Sequence, residues 1–442
     1  MAKANEVSAA RVAAFEVLKQ VEGGAFSSVA LAAKEPELQP LDRALCHELV
    51  MGVLRWQLSL DKIIEHYSGR SVDSLDPPVL HILRLGLYQL RFLSRIPPSA
   101  AVNESVNLVA RARLRSARPF VNAVLRRAVR EPEYSPGATA SSPLERLVVE
   151  TSHPLWLIER WISAFGFEQA EVFTRANNET PPVAIRVVTS AHEESDVLDK
   201  LRSAGATIEP SGIAKHAWRI SGATGEVRKL VQAGEIYVQD EASQLVAEVL
   251  NVEAAERVLD LCAAPGGKST AIANRAVSAS VLAMDVSQRR LETVAQNVKS
   301  HRLKNVSLMV ADAAKPLPFR SETFDRVLVD APCSGTGTLR HNPEIRWRLT
   351  AGDIEELSQQ QTRFLLNAST AVKPGGSLVY STCSVEPEEN EGVVREFLSG
   401  QKVFRQVIAP VNPELLTDSG AARTWPQRDG VDGFYIAVFR KT

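Results

Sequence analysis

The sequence predicts a multidomain protein made of an all-α domain, a small α+β module and an α/β domain with a mostly parallel sheet. The chain has 442 residues and 45% hydrophobic content, which is too long for one ordinary domain and enough for several cores. Apolar residues recur at helical spacing near the start of the chain, whereas short β-runs alternate with helical stretches in its second half. Such alternation is typical of parallel strands covered by helices on both faces.

The first segment is predicted to be a helical domain over residues 1–135. Its apolar residues recur in three-residue steps along one predicted helix face: Val12, Phe15, Leu18 and Val21. The stretch 131–143 is rich in proline, serine and glycine and shows no apolar periodicity. Because this composition is typical of linkers, we expect a domain boundary there.

Residues 144–238 mix helical and β patterns. A helix is predicted at Leu155–Phe165, a β-run at Val183–Thr189 and a second helix at Val197–Ala204. Short strands are expected near Trp218 and Tyr237. This mixture predicts a small α+β module.

Residues 239–442 are predicted to form the α/β domain. Its β-runs are Arg257–Cys262, Val281–Val286, Val306–Val310, Arg326–Val329, Ser377–Tyr380 and Phe434–Arg440. Helical stretches separate most of them, so we expect a mostly parallel sheet that the last run completes.

Charge is unevenly distributed along a chain whose net charge is −1. Residues 1–130 carry 18 Lys and Arg against 12 Asp and Glu, a net charge of +6. Much of this excess comes from a set of arginines suited to phosphate contacts: Arg111, Arg113, Arg115, Arg118, Arg126, Arg127 and Arg130. A solvated helix face explains the same residues, so charge alone does not assign a nucleic-acid partner.

The four cysteines, Cys46, Cys262, Cys333 and Cys383, include no CxxC pair and no neighbouring histidines at metal-ligand spacing. We therefore expect neither disulfides nor a metal, and we expect Cys46 to be a core residue. The sequence has no run of eighteen apolar residues and no signal-peptide pattern in its first thirty residues. These features predict a soluble, cytoplasmic protein without a membrane partner.

The first β-run of the α/β domain ends in LDLCAAPGGKST, residues 259–270. Pro265, Gly266 and Gly267 predict a tight strand-to-helix turn that a nucleotide-like ligand can approach closely. Asp285 ends the next strand, where a carboxylate would bind ribose hydroxyls or cap the following helix. Asp312 ends the third strand and could reach an adenine amino group. A nicotinamide dinucleotide and S-adenosylmethionine both fit these features.

Two thiols are predicted to meet at the same edge of the sheet. FDRVLVDAPCSGTG places Asp330 and Cys333 at the end of the fourth strand, and LVYSTCSVEPEEN places Cys383 at the end of the fifth. A hydride-transfer enzyme needs no thiol in this position. The thiols therefore favour S-adenosylmethionine as the cofactor.

The motifs CAAPGGK, DAPCSGTG and YSTCS, in this order and spacing, resemble the RNA cytosine-5 methyltransferase family with paired Pro-Cys and Thr-Cys motifs. VQDEASQL at 238–245 and DGFYIAVF at 432–439 extend the resemblance over about residues 238–442. FVNAVLRR at 120–127 resembles the NusB-like RNA-binding domain of antitermination factors. Within the family, this fusion is typical of the bacterial Sun/Fmu/RsmB branch, which modifies small-subunit ribosomal RNA.

The resemblance implies a NusB-like domain followed by a Rossmann-like class I methyltransferase domain that uses S-adenosylmethionine. The implied partner is small-subunit (16S) ribosomal RNA, naked or partly assembled, and we expect a monomer. One alternative is the same chemistry on transfer RNA or large-subunit RNA. The other is an inert RNA-binding assembly factor, against which the complete set of thiols, glycine turn and strand-end aspartates argues.

By the same resemblance, Cys383 is the nucleophile that adds to carbon 6 of cytosine, and Cys333 helps to remove the carbon-5 proton. Asp330 would relieve the negative charge on the ring by donating a proton, which requires a raised pKa, or would simply accept bonds from loop amides. The cofactor motif comprises Cys262, Ala263, Ala264, Pro265, Gly266, Gly267 and Lys268. Lys268 either orients Asp330 or contacts cofactor or substrate.

HNPEIRWR follows soon after the Pro-Cys motif, at residues 341–348. With Arg340 before it, this segment offers Arg346 and Trp347 for stacking on a base or holding a phosphate. Trp347 is equally consistent with a core residue.

Overall fold

The computed structural model describes residues 7–189 and 192–442, and the chain divides into two compact units. The first, called the helical unit, contains Met1–Glu179 and Leu339–Arg348. The second, called the sheet unit, contains Thr180–Thr338 and Leu349–Thr442. Among the helices of the described ranges, none is both long enough and apolar enough to cross a membrane.

Helices and strands follow one another along both units. The helices are α1 Ala9–Glu22, α2 Ser27–Lys34, α3 Pro40–Arg55, α4 Gln57–Ser68, α5 Pro77–Phe92, α6 Pro98–Arg111, α7 Arg118–Arg130, α8 Pro143–Thr151, α9 Leu155–Phe165, α10 Phe167–Ala176, α11 Glu194–Ser203, α12 Thr224–Ala233, α13 Glu241–Val249, α14 Gly267–Arg275, α15 Gln288–Ser300, α16 Ile345–Arg348, α17 Ala351–Ala371, α18 Val393–Gly400 and α19 Pro426–Asp429. The strands are β1 Val183–Val187, β2 Thr207–Pro210, β3 Ala217–Ser221, β4 Ile236–Val238, β5 Arg257–Asp260, β6 Ser280–Asp285, β7 Val306–Val310, β8 Phe324–Asp330, β9 Val372–Thr382, β10 Phe404–Val407, β11 Ala422–Arg423 and β12 Tyr435–Lys441.

The helical unit buries the helix face that the sequence predicts for α1. Phe15, Leu18 and Val21 are 7%, 1% and 4% exposed, while Val12 packs at the edge of the same core. Prolines in the first turn of α3, α5 and α6 help to start these helices, because proline lacks the N–H that a helix start leaves unpaired. The predicted all-α start of the chain is confirmed.

The helical unit extends beyond the proline-rich stretch where we expected a domain boundary. Residues 136–139 form a 3-10 turn, and α8, α9 and α10 follow inside the same unit. Their apolar residues Leu147 and Ile158 pack with Leu58 of α4. The compact unit therefore ends at Glu179 rather than near residue 135, because the helices after the turn bury their apolar faces within it.

The segment Leu339–Arg348, which we call the strap, belongs to the helical unit although it lies late in the sequence. The Glu344 carboxylate accepts hydrogen bonds from the backbone N–H and the hydroxyl of Ser27, at 2.8 and 2.9 Å, in the first turn of α2. Trp347 Nε1 donates to the carbonyl of Leu54 at 2.9 Å. Arg346 is fully buried and donates to Asn178 Oδ1 at 3.0 Å.

The expectation that the side chains of Arg340, Arg346 and Trp347 contact RNA is wrong. Arg340 is 2% exposed and Arg346 is fully buried, and Trp347 is fixed by its bond to a main-chain carbonyl. The polar groups of Arg346 and Trp347 bind within the helical unit, and the Arg340 side chain is buried.

The sheet unit contains two sheets. The smaller one has the strand order β2-β3-β1-β4 with antiparallel pairs, which confirms the α+β module. The larger sheet has the order β10-β12-β9-β8-β5-β6-β7, with β11 paired to β12. Strands β5 to β9 are parallel to their neighbours in this group, whereas β10 and β12 are antiparallel. The expected mostly parallel sheet is confirmed, and both sheets lie in one compact unit rather than dividing at residue 238.

This strand order positions the candidate site. The first parallel strand, β5, has β6 on one side and β8 on the other, so the chain's direction of winding reverses there. Ligands of α/β sheets bind at such a point, outside the carboxyl ends of the strands. Those ends carry Asp260 on β5, Asp285 on β6 and Asp330 on β8, with Ser381 of β9 opposite Asp330 in the β8–β9 register.

Replacing Glu344 by alanine is predicted to destabilise the helical unit. The substitution leaves the buried N–H and hydroxyl of Ser27 without their acceptor, which costs about 2–3 kcal/mol for bonds to a charged group. Thermal unfolding and limited proteolysis at α1 and α2 measure the effect. Glu37→Ala, at an exposed pair with Lys34, is the control and should change little, whereas equal stability of both variants would contradict the role of the strap.

Candidate active site

In the turn between β5 and α14, Gly266 and Gly267 lie against other protein atoms that leave little room for a side chain. Gly266 has a φ of +102°, and a Cβ built on it would lie 3.1 Å from Val294 Cγ1. A Cβ on Gly267 would lie 3.0 Å from Gln239 Nε2 and 3.3 Å from Tyr237 Cε1. We expected the glycines to leave room for a ligand, but protein atoms fill the space that a side chain of Gly267 would need.

Arg186 of β1 hydrogen-bonds to the first turn of α14. This side chain is 2% exposed, and its Nη2 donates to Thr270 Oγ1 at 2.7 Å and to the carbonyl of Gly267 at 3.3 Å. Burial lowers its pKa to about 10, so it stays charged at neutral pH. The sequence analysis missed this residue, although an arginine within an otherwise apolar β-run was a signal for a buried polar contact.

Asp285, at the end of β6, hydrogen-bonds to the backbone of the segment that forms the glycine turn. Its carboxylate, 3% exposed, accepts hydrogen bonds from the backbone N–H groups of Ala264 at 3.2 Å and Ser287 at 3.0 Å. Ser287 is the residue that caps α15, so the helix-cap alternative for Asp285 does not hold. Since each carboxylate oxygen has two acceptor positions, Asp285 retains capacity for a ligand hydroxyl.

Asp312 and Val286 complete this edge. Asp312 lies two residues beyond β7, its side chain is 34% exposed, and it accepts a hydrogen bond from Ala314 N at 2.9 Å. Val286, directly after Asp285, is 63% exposed, which is unusual for an apolar residue at the end of a buried strand. The edge therefore offers hydrogen-bond acceptors beside an apolar contact surface, the combination that an adenosine group requires.

Lys268 and Asp330 form a close ion pair at the centre of the edge. Lys268 Nζ donates to Asp330 Oδ2 at 2.7 Å, and Ser381 Oγ donates to Asp330 Oδ1 at 2.8 Å. Burial alone would lower the pKa of Lys268, but the negative charge of Asp330 outweighs it and the pKa is raised. Lys268 is therefore an ammonium group, and Asp330 acts as a hydrogen-bond acceptor in this arrangement.

The two thiols meet, as the strand ends predict. Cys333 Sγ and Cys383 Sγ lie 3.2 Å apart, and both side chains are partly buried. The hydrogen bond with Cys383, together with burial, raises the pKa of the Cys333 thiol well above its usual range. Either sulfur can be the donor in this contact.

The other cysteines differ from this pair. Cys262 lies between the strand and the glycine turn, where it packs against an apolar cluster, and burial raises its pKa well above the usual range. Cys46 is 1% exposed, and burial raises its pKa to about 11. The expected core position of Cys46 is confirmed.

Two acidic residues at the site were not singled out from the sequence. Asp260 ends β5, is fully buried and accepts a hydrogen bond from Ser269 Oγ at 2.6 Å. Burial, and to a smaller extent the charge of Asp330, raise its pKa to about 7, although the hydrogen bond from Ser269 lowers it. Glu389, also fully buried, contacts the residue after each thiol. The same strand-end argument that selected Asp285 applied to Asp260, whereas only the fold reveals the position of Glu389.

The mostly parallel sheet, its glycine turn and its strand-end acids define the class of α/β methyltransferase domains, and comparison with known proteins agrees. The family model described as 16S rRNA methyltransferase RsmB/F matches residues 247–440. The NusB family model matches residues 8–130, and a ferredoxin-like domain model of RsmF/B-like methyltransferases matches residues 153–226. The cofactor of this class is S-adenosylmethionine, as expected.

Similar proteins cover the whole chain. "Probable ribosomal RNA small subunit methyltransferase B" of Bacillus subtilis is 34% identical over 96% of this chain and 97% of its own length. "Ribosomal RNA small subunit methyltransferase B" of Cronobacter sakazakii is 35% identical over 97% and 98%. The crystal structure of PH0851 has a TM-score of 0.85 and 30% identity over 99% of both chains. The chain belongs to the RsmB family of 16S ribosomal RNA methyltransferases.

Asp260 gives the protein a measurable pH dependence. Its pKa is about 7 in the folded protein and about 3.9 in an unfolded chain, so the unfolded state loses this proton first as pH rises. Stability is therefore lost between about pH 4 and pH 7 and stays constant above. We expect Asp260→Asn to gain melting temperature relative to the wild type over that interval.

Asp325→Asn is the matched control with the opposite sign. Partial burial would raise the pKa of Asp325, but the bond from Lys373 prevails and lowers it. This variant should therefore lose stability relative to the wild type as pH rises through the acid range. Parallel pH profiles for Asp260→Asn and the wild type would show that Asp260 is not a buried protonated carboxyl.

Proposed function

We propose that this enzyme transfers a methyl group from S-adenosylmethionine to carbon 5 of a cytosine in 16S ribosomal RNA through a covalent bond between Cys383 and carbon 6. The observation that supports it most directly is the pair of thiols 3.2 Å apart beside the Lys268–Asp330 ion pair. The RsmB family sets the substrate class, and the chemistry of carbon 5 requires an added nucleophile, because this carbon is too weakly nucleophilic to attack a methyl sulfonium unaided.

The cofactor is proposed to lie over the glycine turn, Cys262 to Lys268, with Asp285 bound to the ribose and Asp312 near the adenine. When bound, it supplies an electrophilic methyl group. Free acceptor capacity on Asp285 and the exposed side chain of Val286 suit an adenosine group. Asp285 also accepts the N–H of Ala264, so the same carboxylate orients the turn.

The two thiols are proposed to act in different steps. The Cys383 thiolate forms a bond to carbon 6, and the electrons of the carbon 5–carbon 6 double bond move to carbon 5. Carbon 5 then takes the methyl group as the bond from the methyl carbon to the sulfonium sulfur breaks, which would leave S-adenosylhomocysteine. Once Cys383 is bonded to carbon 6, the Cys333 thiol releases its proton to solvent, and the resulting thiolate removes the proton of carbon 5. The electrons of that carbon–hydrogen bond re-form the carbon 5–carbon 6 double bond, and the carbon–sulfur bond breaks to return the Cys383 thiolate. A high thiol pKa suits Cys333 for this step, because its thiolate is then a strong base.

Lys268 and Asp330 are proposed to stabilise the charge that addition puts on the pyrimidine ring. Asp330 accepts bonds from Lys268 and Ser381, so the proton donor of the pair is Lys268 and Asp330 fixes its direction. The negative charge of Cys383 is among the causes that raise the pKa of Lys268. The ammonium therefore lies where it favours the thiolate before addition and the ring charge afterwards.

Specificity for small-subunit RNA is proposed to involve the NusB domain. Arg111, Arg113, Arg115, Arg118, Arg126 and Arg130 are exposed along α6, α7 and the turn between them. Arg127 is half-buried and paired with Glu131 at 3.1 Å. Six exposed guanidinium groups on one helical hairpin suit phosphate contacts. Methylation of 16S ribosomal RNA, large-subunit RNA and transfer RNA in parallel reactions separates this substrate from the alternatives.

Three further features remain proposals: a monomeric state, action in the cytoplasm, and functional modules at residues 1–135, 144–238 and 239–442. Light scattering on the purified protein tests the first. The family models over residues 8–130, 153–226 and 247–440 support the third.

The two thiols should respond differently to replacement by alanine. Cys383→Ala should lose activity and form no adduct with RNA, since nothing adds to carbon 6. Cys333→Ala should still add and methylate but release slowly, so a covalent protein–RNA complex should accumulate on a denaturing gel. Cys46→Ala, a buried cysteine of the helical unit, is the control and should methylate normally. An adduct trapped by Cys383→Ala and absent in Cys333→Ala would exchange the two roles.

Asp285→Asn should weaken binding of S-adenosylmethionine by tenfold or more, about 1.4 kcal/mol or greater, because an amide replaces a charged acceptor for the ribose hydroxyls. Isothermal titration calorimetry measures the affinity. Asp325→Asn, at the amino end of β8, is the control and should bind normally. Unchanged binding by a folded Asp285→Asn protein would mean that the cofactor lies elsewhere.

A further inference from the structure

We propose that Glu389 is the positioning residue that holds the two cysteine loops together and assigns their roles, keeping Cys333 as the protonated thiol and Cys383 as the nucleophile. The inference rests on the proposed covalent function of the thiols. Within residues 7–189 and 192–442, Glu389 makes no hydrogen bond to either sulfur atom. It acts through the residues that follow the two cysteines.

The Glu389 carboxylate binds both cysteine loops at once. Its Oε1 accepts the backbone N–H of Ser334 at 2.8 Å and Gln361 Nε2 at 2.8 Å. Its Oε2 accepts the hydroxyl of Ser384 at 2.5 Å and that of Ser334. Ser334 follows Cys333 and Ser384 follows Cys383, so one buried carboxylate fixes the residue after each thiol.

This bonding pattern fits a carboxylate anion. A protonated carboxyl group would have to donate one bond, whereas all four contacts can be accepted bonds. Burial raises the pKa of Glu389, while the bonds from Ser334, Ser384 and Gln361 oppose that shift. The negative charge is held by dipoles rather than by a cation, so it continues to act on its surroundings.

Different charged groups act on the two members of the sulfur pair. The pKa of Cys333 is raised by its hydrogen bond with Cys383, then by burial, and then by the charges of Cys383 and Glu389. On the other side, the negative charge of Cys383 is among the causes that raise the pKa of Lys268, itself bound to Asp330. Glu389 thus disfavours a thiolate at Cys333, whereas the Lys268 ammonium interacts with the charge of Cys383.

Tyr380 is a further titratable group at this position. Its hydroxyl donates to the main-chain carbonyl of Glu389 at 2.6 Å, and burial raises its pKa well above the usual range. Tyr380 is therefore neutral at any pH used for thiol titration. Glu389 acts on Cys333, and Lys268, bound to Asp330, interacts with Cys383.

Glu389→Gln separates charge from geometry. Its amide oxygen can accept the two N–H donors at the Oε1 position, and its amide N–H₂ can donate to the two serine hydroxyls, which rotate to accept. The hydrogen-bond count is kept while the negative charge is removed. Glu389→Asp does the opposite, because it keeps the charge on a side chain shorter by one methylene.

The test is the pH dependence of iodoacetamide alkylation at Cys333 and Cys383 in the full-length protein, resolved by peptide mass spectrometry. In Glu389→Gln, the Cys333 profile should move to lower pH by about one unit, roughly tenfold more thiolate at a fixed pH, and the preference for alkylating Cys383 should fall. Glu396→Gln, an exposed carboxylate on α18, should leave both profiles unchanged.

An unchanged Cys333 profile in a folded Glu389→Gln protein would overturn the proposal. If Glu389→Gln does not fold, Glu389→Asp is the deciding variant. It should still be alkylated preferentially at Cys383 and should lose only methylation rate. Loss of the preference for alkylation at Cys383 would also overturn the proposal. Alkylation requires neither RNA nor cofactor, so its outcome is independent of the RNA methylation test. A Cys383→Ala protein that still methylates RNA would refute the proposed function while leaving the alkylation result intact.

Discussion

The 3.2 Å contact between Cys333 and Cys383 is the constraint on which the active edge of the sheet depends. The two sulfur atoms come from the ends of β8 and β9, which are parallel neighbours, and Asp330 and Ser381 lie opposite each other in their register. Neighbouring strands bring the backbones close, but the loops beyond them could still diverge. The buried carboxylate of Glu389 prevents this by binding Ser334 and Ser384, and the backbone N–H of Gly337 donates to the carbonyl of Cys383 at 3.0 Å.

The same edge of the sheet carries more acidic than basic side chains, so the stabilisation of its buried carboxyl groups has to be explained. Asp260, Asp285 and Asp330 end adjacent strands, and Lys268 is the ammonium group bound to one of them. A pKa of about 7 at Asp260 reduces the negative charge that Lys268 has to balance. Asp285 accepts bonds from two backbone N–H groups, and the Arg290 guanidinium lies 3.6 Å from its Oδ2. Burying charges is costly unless each is paired or hydrogen-bonded, and each of these carboxyl groups meets that condition differently.

Sequence periodicity predicted most of the secondary structure, and the shared carboxyl edge of parallel strands predicted several residues of the candidate site. The β-runs of the α/β domain lie within or overlap the observed strands, and Leu155–Phe165 is a helix with the predicted ends. Asp285, Asp330 and both thiols were predicted from the rule that parallel strands share a carboxyl edge. The features that were not predicted depend on contacts between residues that are far apart in the sequence. The role of Gly267 depends on Gln239 and Tyr237, and the burial of Arg346 depends on residues near position 178.

The strap shows why sequence families and compact units need not coincide. The methyltransferase family model spans residues 247–440 and therefore includes Leu339–Arg348, yet these residues belong to the helical unit. The chain leaves the sheet unit after Thr338, in the loop that carries Cys333, and re-enters it at Leu349. A truncation that removes residues 1–130 would delete Ser27 and leave Glu344 of the strap without its partners. An unpaired buried carboxylate is strongly destabilising, so such a truncation tests the folding of the chain before it tests RNA affinity.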